Sequence, residues 1–347
     1  MKKTLSVVLA LVMILSLAAC GGSSAKPAAT EAPATEAPAA EEPAAEPEAQ
    51  PEAEPEAEPA AGPVTVTDMM GREITLEKPA ERIVALTASD CEILYAVGAG
   101  DLLVARGTYC DYPAEVTELP ELGSGYDTNV EDIIAMDPDV LLMSTMAQTE
   151  EQVAALEAAG VAVVVSDAQD VAGTYQAIRM IGALVGKDEA AEAVVADMEA
   201  TFAELKEAVA AKNIPEDEKP TVYFEVSPIY YGLWAAGGGS FMNEIADMLG
   251  MKNIFAEGAS WESISEEQVI AADPDYIVTI TMYFGEEYES AEAEIMARPG
   301  WENITAVKNG AILLLPNNEL SRPAPRLADG ARMLYEFVYE NAQEDAA

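Results

Sequence analysis

From Val64 onward the apolar residues fall into short unbroken runs separated by longer stretches in which they recur every three or four positions. The runs Ile83–Leu86, Leu102–Ala105, Val161–Val165, Val222–Val226 and Ala311–Leu315 do not alternate with polar residues, as expected of strands covered on both faces. The stretches between them predict helices at Cys91–Val97, Glu150–Ala159, Val171–Val185, Phe241–Leu249 and Glu289–Ala297, with a last helix after Pro325. Ahead of them VTVTD and REITL read as a hairpin turned at Met70-Gly71. Strand and helix alternating in this way predict parallel sheets covered by helices. Midway, Asp188 to Ala211 is a run of strong helix formers without Gly or Pro, closed by Ile214–Pro220. At 1.5 Å per residue it spans roughly 36 Å.

One pattern occurs twice, as NVEDIIAMDPDVLL at 129–142 and SEEQVIAADPDYIV at 265–278, with six of fourteen positions identical. Asn129 and Ser265 are N-caps, and Asp132 and Gln268 stand where a side chain can return a bond to the cap. Asp-Pro-Asp ends each short helix, and a buried strand follows. A unit repeated once, 136 residues apart, predicts two similar lobes with a cleft between them, since solenoid periods are far shorter.

The N-terminus changes where this molecule is expected to work. Lys2 and Lys3 precede an apolar run to Leu17, and Leu17-Ala18-Ala19-Cys20 follows. The run is too short for a comfortable membrane span and reads as an export signal. With Cys at the cut it resembles a bacterial lipoprotein signal, which implies that Cys20 is lipidated and becomes the mature N-terminus. Residues 21–62, nearly all Ala, Pro, Glu, Thr, Ser and Gly, bury too little to order themselves and form a tether reaching on the order of 35 Å. The expected organisation is a signal over 1–20, the tether over 21–62, an N-terminal α/β lobe over 63–187, a linking helix over 188–212 and a C-terminal α/β lobe over 213–347. The signal resemblance implies a product that is extracytoplasmic and lipid-anchored to the cell membrane.

The formal charge is −44, which argues against nucleic acid or anionic lipid as a partner. There is no histidine, so His-dependent triads and the usual zinc sites are excluded. Besides Cys20 the cysteines are Cys91 and Cys110. Both fall just after neighbouring strands, which predicts that they are close; the spacing leaves open whether they bond.

Two α/β lobes on one rigid helix resemble the helical-backbone, or class III, substrate-binding lipoproteins of ABC importers. The resemblance runs from about Val64 to the last helix. It is carried by IVALTASDCEILYAVGAGDLLVARGTYCDYP, NVEDIIAMDPDVLL, GGSFMNEIADMLGMKNI, SWESISEEQVIAADPDYIV, RPGWENITAVKNGAI and LSRPAPRL. It implies two Rossmann-like lobes with a ligand cleft, no enzyme activity, no intrinsic cofactor and capture of a metal chelate, a ferric siderophore or cobalamin, for delivery to a dimeric permease with its ATPase. Haem is the alternative within the family. A non-transport surface lipoprotein, enzyme or adhesin or sensor, is the alternative outside it.

Glu131 and Glu267 hold equivalent places in the two repeats. A first-turn carboxylate complements the helix dipole, and the resemblance implies in addition that each meets an arginine of the permease. Loops at strand C-terminal ends line clefts in open parallel sheets, so Thr87–Asp90, Arg106–Tyr112 and Trp234–Ser240 with Trp261 are the expected ligand rim. Tyr109 and Trp261 resemble the aromatic contacts of cobalamin binders, with Tyr231, Trp234 and Tyr230 adding aromatic surface and Tyr283 a weaker candidate. Arg106 and Arg322 could hold anionic oxygens of a ligand, whereas Arg326 suits pairing with local acids. Gly237-Gly238-Gly239-Ser240 lacks the ending of a phosphate-binding loop. Met69, Met70, Met143, Met146 and Met282 are expected to fill space rather than ligate haem.

Overall fold

A computed structural model of the chain describes residues 62–340 except 126–127, 146–148, 281–284 and 316–317. The signal, Cys20, the tether up to residue 61, Met146, Met282 and Tyr283 lie outside the described residues. Among those described, no helix is long and apolar enough to cross a membrane.

The chain opens with β1 (Val64–Thr67) and β2 (Glu73–Leu76), paired antiparallel. The Asp68 carboxylate holds their turn by accepting from the Met70 and Arg72 amides at 3.0 and 2.8 Å. Then follow β3 (Ile83–Ala85), α1 (Ala88–Ala96), β4 (Leu103–Gly107), β5 (Glu121–Leu122), α2 (Val130–Ala135), β6 (Val140–Met143), α3 (Glu150–Ala158), β7 (Ala162–Val165) and α4 (Val171–Leu184). Strands β5-β4-β3-β6-β7 form one sheet, parallel throughout. Alternate residues serve its two faces: Ile83, Ala85, Val140 and Leu142 face the main core, and Val84, Leu141 and Val163 join Ile133 and Leu156 on the other.

The long helix α5 (Asp188–Lys212) is unbroken over 25 residues and stops at Asn213, whose φ of +51° is left-handed. It buries Ala191, Val195, Met198, Phe202 and Leu205, a stripe spaced three and four apart. Those residues belong to one hydrophobic core that also contains Ile83 and Val140 from the first sheet and Val222 and Phe224 from the second. The helix therefore fuses the two lobes rather than merely tethering them.

The second half comprises β8 (Thr221–Ser227), β9 (Trp234–Ala236), α6 (Phe241–Met248), β10 (Lys252–Asn253), β11 (Trp261–Ser263), α7 (Glu266–Ala272), β12 (Tyr276–Thr279), α8 (Ala291–Ala297), α9 (Thr305–Lys308), β13 (Ile312–Leu314) and α10 (Leu327–Tyr339). Its sheet runs β11-β9-β8-β12-β13, with β10 beside the start of β8. Strands β8, β10, β12 and β13 are parallel as expected, and the sheet also holds β9, which the sequence did not reveal and which runs antiparallel to its neighbours β8 and β11. Only a short turn separates β8 from β9, too short for a crossover, so the chain has to fold back on itself.

The repeat is structural as well as sequential. Asp137 and Asp273 both take left-handed φ, +50° and +47°, immediately before their prolines. The next aspartates also match: Asp139 accepts the Glu81 and Arg82 amides at 2.8 and 3.0 Å, and Asp275 accepts the Thr221 amide at 2.8 Å. Each carboxylate thus secures the entry of the central strand of its sheet, β3 or β8.

Candidate functional site

The loops at the C-terminal ends of the parallel strands carry most of the large exposed aromatics. Tyr109, after β4, is 72% exposed; after β8, Tyr231 is 70% exposed and Trp234 is 41% exposed. Tyr230 and Tyr231 meet edge to face, their centroids 4.9 Å apart. The positive φ of Gly232, +89°, then turns the chain into β9. These rings supply apolar area with little side-chain entropy to lose, and their hydroxyls can still hydrogen-bond.

The arginines expected at this rim are committed to protein carboxylates. Arg106 is buried, pairs with Glu121 at 3.1 Å and donates to the Gly107 and Thr108 carbonyls at 3.1 and 3.4 Å. Its guanidinium braces the β4–β5 edge and the loop leading to Tyr109. Arg322 likewise pairs with Glu92 at 3.1 Å and Asp111 at 2.6 Å, and donates to the Tyr109 carbonyl at 3.0 Å. Arg326 meets the same Glu92 at 2.6 Å and lies 3.8 Å over the Tyr112 ring. Burial works against the charge on both arginines, but their carboxylate partners outweigh it and raise their pKa values. The two guanidinium groups come from the loop before α10 and Glu92 from α1, so this cluster ties one lobe to the other. Glu92 was not singled out from the sequence; a charged residue in the otherwise apolar CEILYAV helix was the available signal.

A second set of bonds crosses between the lobes near α4. The Trp261 indole N–H donates to Gln169 Oε1 at 3.0 Å, the Phe241 amide to the Gln169 carbonyl at 2.9 Å, and the Val171 amide to Glu244 Oε2 at 2.9 Å. Trp261 packs on Phe241 with centroids 5.5 Å apart and is partly buried against the main core. It is both a packing residue and a cross-lobe bond, and it begins β11 rather than standing in a loop.

The glycine turn is a close-packing device. A Cβ on Gly237 would lie 2.3 Å from the Ala259 carbonyl oxygen and one on Gly238 2.2 Å from that of Ala256. Carbonyl oxygens repel phosphate, and the Ser240 hydroxyl is occupied, donating to Gly237 O at 2.7 Å and accepting from the Asn243 amide at 3.2 Å to cap α6. Met143 is buried in the core, as space filling predicts, whereas Met70 is exposed.

Asp90, in the first turn of α1, is fully buried with neither carboxylate oxygen completing a hydrogen bond among the described residues. Burial pushes its pKa up to about 7, opposed only in part by the nearby Ser166 and Thr87 hydroxyls.

Glu131 and Glu267 are both exposed, each at the second position of its helix. The Asn129 side chain accepts from the Glu131 amide at 3.0 Å, while Ser265 and Gln268 form a reciprocal cap around Glu267. The Glu267 backbone N–H and the Ser265 hydroxyl hold its carboxyl below the usual range, which keeps it ionised.

Of the cavities, one of about 700 Å³ lies along α4, α5 and α6 and includes Tyr175, Phe202, Lys206 and Glu244. Another of about 560 Å³ reaches Tyr230 and has Arg298 and Glu294 in its wall. Arg298 is buried between Glu225 and Glu294 at 2.6 Å from each.

Comparison with known proteins is consistent with this arrangement. The chain is 33% identical over 280 residues to an uncharacterized ABC transporter substrate-binding lipoprotein of Bacillus subtilis, covering 80% of this chain and 86% of that one. It is 28% identical over 284 residues to a cobalamin-binding protein of Halobacterium salinarum, covering 79% of this chain and 74% of that one. The crystal structure of a possible iron-binding periplasmic solute-binding protein from Staphylococcus epidermidis superposes with a TM-score of 0.61 at 29% identity, covering 76% of this chain and all of that one. A family model described as periplasmic binding protein matches residues 83–319, from the first strand of the β3 sheet to the loop before α10, and the chain belongs to that family.

Proposed function

We propose that this protein captures a large, nearly neutral metal chelate of the cobalamin class outside the cell and presents it to the permease of an ABC importer. The observation that carries the reading is the pairing of two features at the strand ends. Tyr109, Tyr231 and Trp234 offer exposed ring surface, while Arg106 and Arg322 are bound to Glu121, Glu92 and Asp111. A rim rich in rings whose arginines are neutralised by the protein suits a flat, weakly charged ligand better than a polyanionic ferric siderophore, which calls for open guanidinium groups. The cobalamin-binding relative supports the same choice.

In this reading Tyr109, Tyr231, Trp234 and Trp261 contact the ligand, Glu131 and Glu267 meet arginines on the two permease subunits, and Cys20 carries the lipid that holds the receptor at the membrane. Titration of the purified protein with cyanocobalamin, a ferric catecholate and hemin tests it. Cyanocobalamin is expected to bind tightest, with Tyr109→Ala or Trp234→Ala weakening it by about tenfold or more if either ring is an anchor. Tighter binding of the catecholate, or a haem Soret band shifted by tyrosine coordination, overturns the ligand class.

A further inference from the structure

Cys91 and Cys110 lie in neighbouring segments of the N-terminal lobe. Cys91 is in the second half of the first turn and a half of α1, after β3, and Cys110 is in the loop after β4. Strands β3 and β4 are adjacent and parallel, with Ala85 beside Arg106, so the two loops leave the sheet side by side. Both thiols are fully buried and both point to one acceptor, the Ala85 carbonyl, from 3.9 and 3.7 Å. Gly107 allows this approach: a Cβ there would stand 2.2 Å from the Leu86 carbonyl oxygen. The Cys110 amide then donates to the Gly107 carbonyl at 3.1 Å, which fixes the turn that aims its side chain inward. Both thiols are free.

We propose that Cys91 and Cys110 are a dithiol–disulfide site, closed by exchange with a small disulfide oxidant outside the cell, and that the bond fastens the Tyr109–Tyr112 rim to α1. The exchange has two steps. One cysteine thiolate attacks the oxidant R–S–S–R, forming a protein–S–S–R bond and releasing one thiolate; the second cysteine thiolate attacks the protein sulfur of that bond and releases the other. The two cysteines lose two protons and two electrons in all, and the oxidant leaves as two thiols. In the folded protein the neighbouring Cys110 thiol and burial hold the Cys91 thiol well above its ordinary pKa, so it is a poor nucleophile there. Closure therefore belongs to the folding chain or to a local opening of residues 107–112, after which burial shields the bond from reductants. Export supplies the oxidising setting in which such a bond persists. The site is separate from the ligand chemistry proposed above and stands whichever chelate is bound.

The consequence reaches the rim because the same short loop carries Tyr109, whose carbonyl accepts from Arg322, and Asp111, which pairs with it. A covalent tie at Cys110 would limit how far these residues move when a ligand arrives.

The test is the equilibrium constant for closing the pair in glutathione redox buffers at fixed pH, measured on the full-length Cys20→Ser chain by acid quenching, alkylation and mass spectrometry. It is measured once under native conditions and once in urea. If the fold holds the thiols in bonding position, the native constant should exceed the unfolded one by at least tenfold, with the product two mass units lighter and free of glutathione. A native ratio below tenfold, or stable glutathione adducts at each cysteine, overturns the proposal. Should Cys20→Ser disturb folding, the same ratio on the detergent-solubilised wild type decides it, with Cys91→Ser and Cys110→Ser identifying which sulfurs react.

Discussion

Replacing Glu92 by Gln should destabilise the protein out of proportion to the size of the change. Gln keeps the shape of the side chain but removes the charge that faces Arg322 at 3.1 Å and Arg326 at 2.6 Å. The Glu92 side chain is only 2% exposed, so water cannot take its place. Losing one member of a buried charge cluster typically costs about 3–5 kcal/mol, because the partners stay buried without compensation. Asp111 and Glu319 remain near the two arginines, at 2.6 and 3.7 Å, which places the expected cost at the lower end, about 3 kcal/mol. For a folded part of this size that corresponds to a fall in melting temperature of roughly 5 °C. The assay is calorimetric or circular-dichroism melting of wild type and variant at neutral pH, at low salt and at 1 M salt (about a 3 Å screening length). Salt should not erase the difference, since the pair is shielded from solvent. Glu204→Gln is the control: it breaks the Arg332–Glu204 pair, equally short at 2.8 Å but exposed, and should barely move the midpoint. Equal effects of the two substitutions, or a Glu92→Gln protein that melts with wild type, would refute the view that this cluster fastens the lobes.

Three further outcomes follow from the site. Because the folded pKa of Asp90 is near 7 and its ordinary value 3.8, the folded state keeps a proton that the unfolded chain releases between those pH values. Stability should therefore fall as pH rises from about 4 to 7, by up to 1.36 kcal/mol per pH unit and on the order of 4 kcal/mol in all, and Asp90→Asn should flatten that slope in pH-dependent urea melts. Reversing both Glu131 and Glu267 to Lys should abolish uptake by cells while leaving ligand affinity of the purified protein nearly unchanged; normal uptake sinks the docking role. Cys20→Ser should release the protein from membranes or leave its precursor uncut, seen by fractionation and intact mass.

The α/β order, the long helix and the paired lobes were legible because each is written locally, in runs of apolar residues, an uninterrupted set of helix formers and a repeated fourteen-residue pattern. What was misread depended on distant neighbours. Strands β9 and β11 have three residues each and no periodicity to register, so Trp261 read as a loop residue although pairing with Ala236 makes it a strand residue. The arginines were visible as scarce cations, but the chain gives no sign that the acid facing Arg322 is Glu92, 230 residues earlier. The same holds for Asp90, whose isolation follows from packing and not from its neighbours in sequence.

Because α5 joins both sheets to one undivided core, the span between the helices bearing Glu131 and Glu267 is set by the fold and not by cargo. On the docking roles proposed for these residues, an empty receptor offers the permease the same two-point grip as a full one. Unfilled copies then act as competitors for the transporter, so raising receptor abundance at low chelate should slow import rather than speed it. Throughput becomes a question of stoichiometry, with an optimum ratio of receptor to permease that tighter ligand binding alone cannot replace.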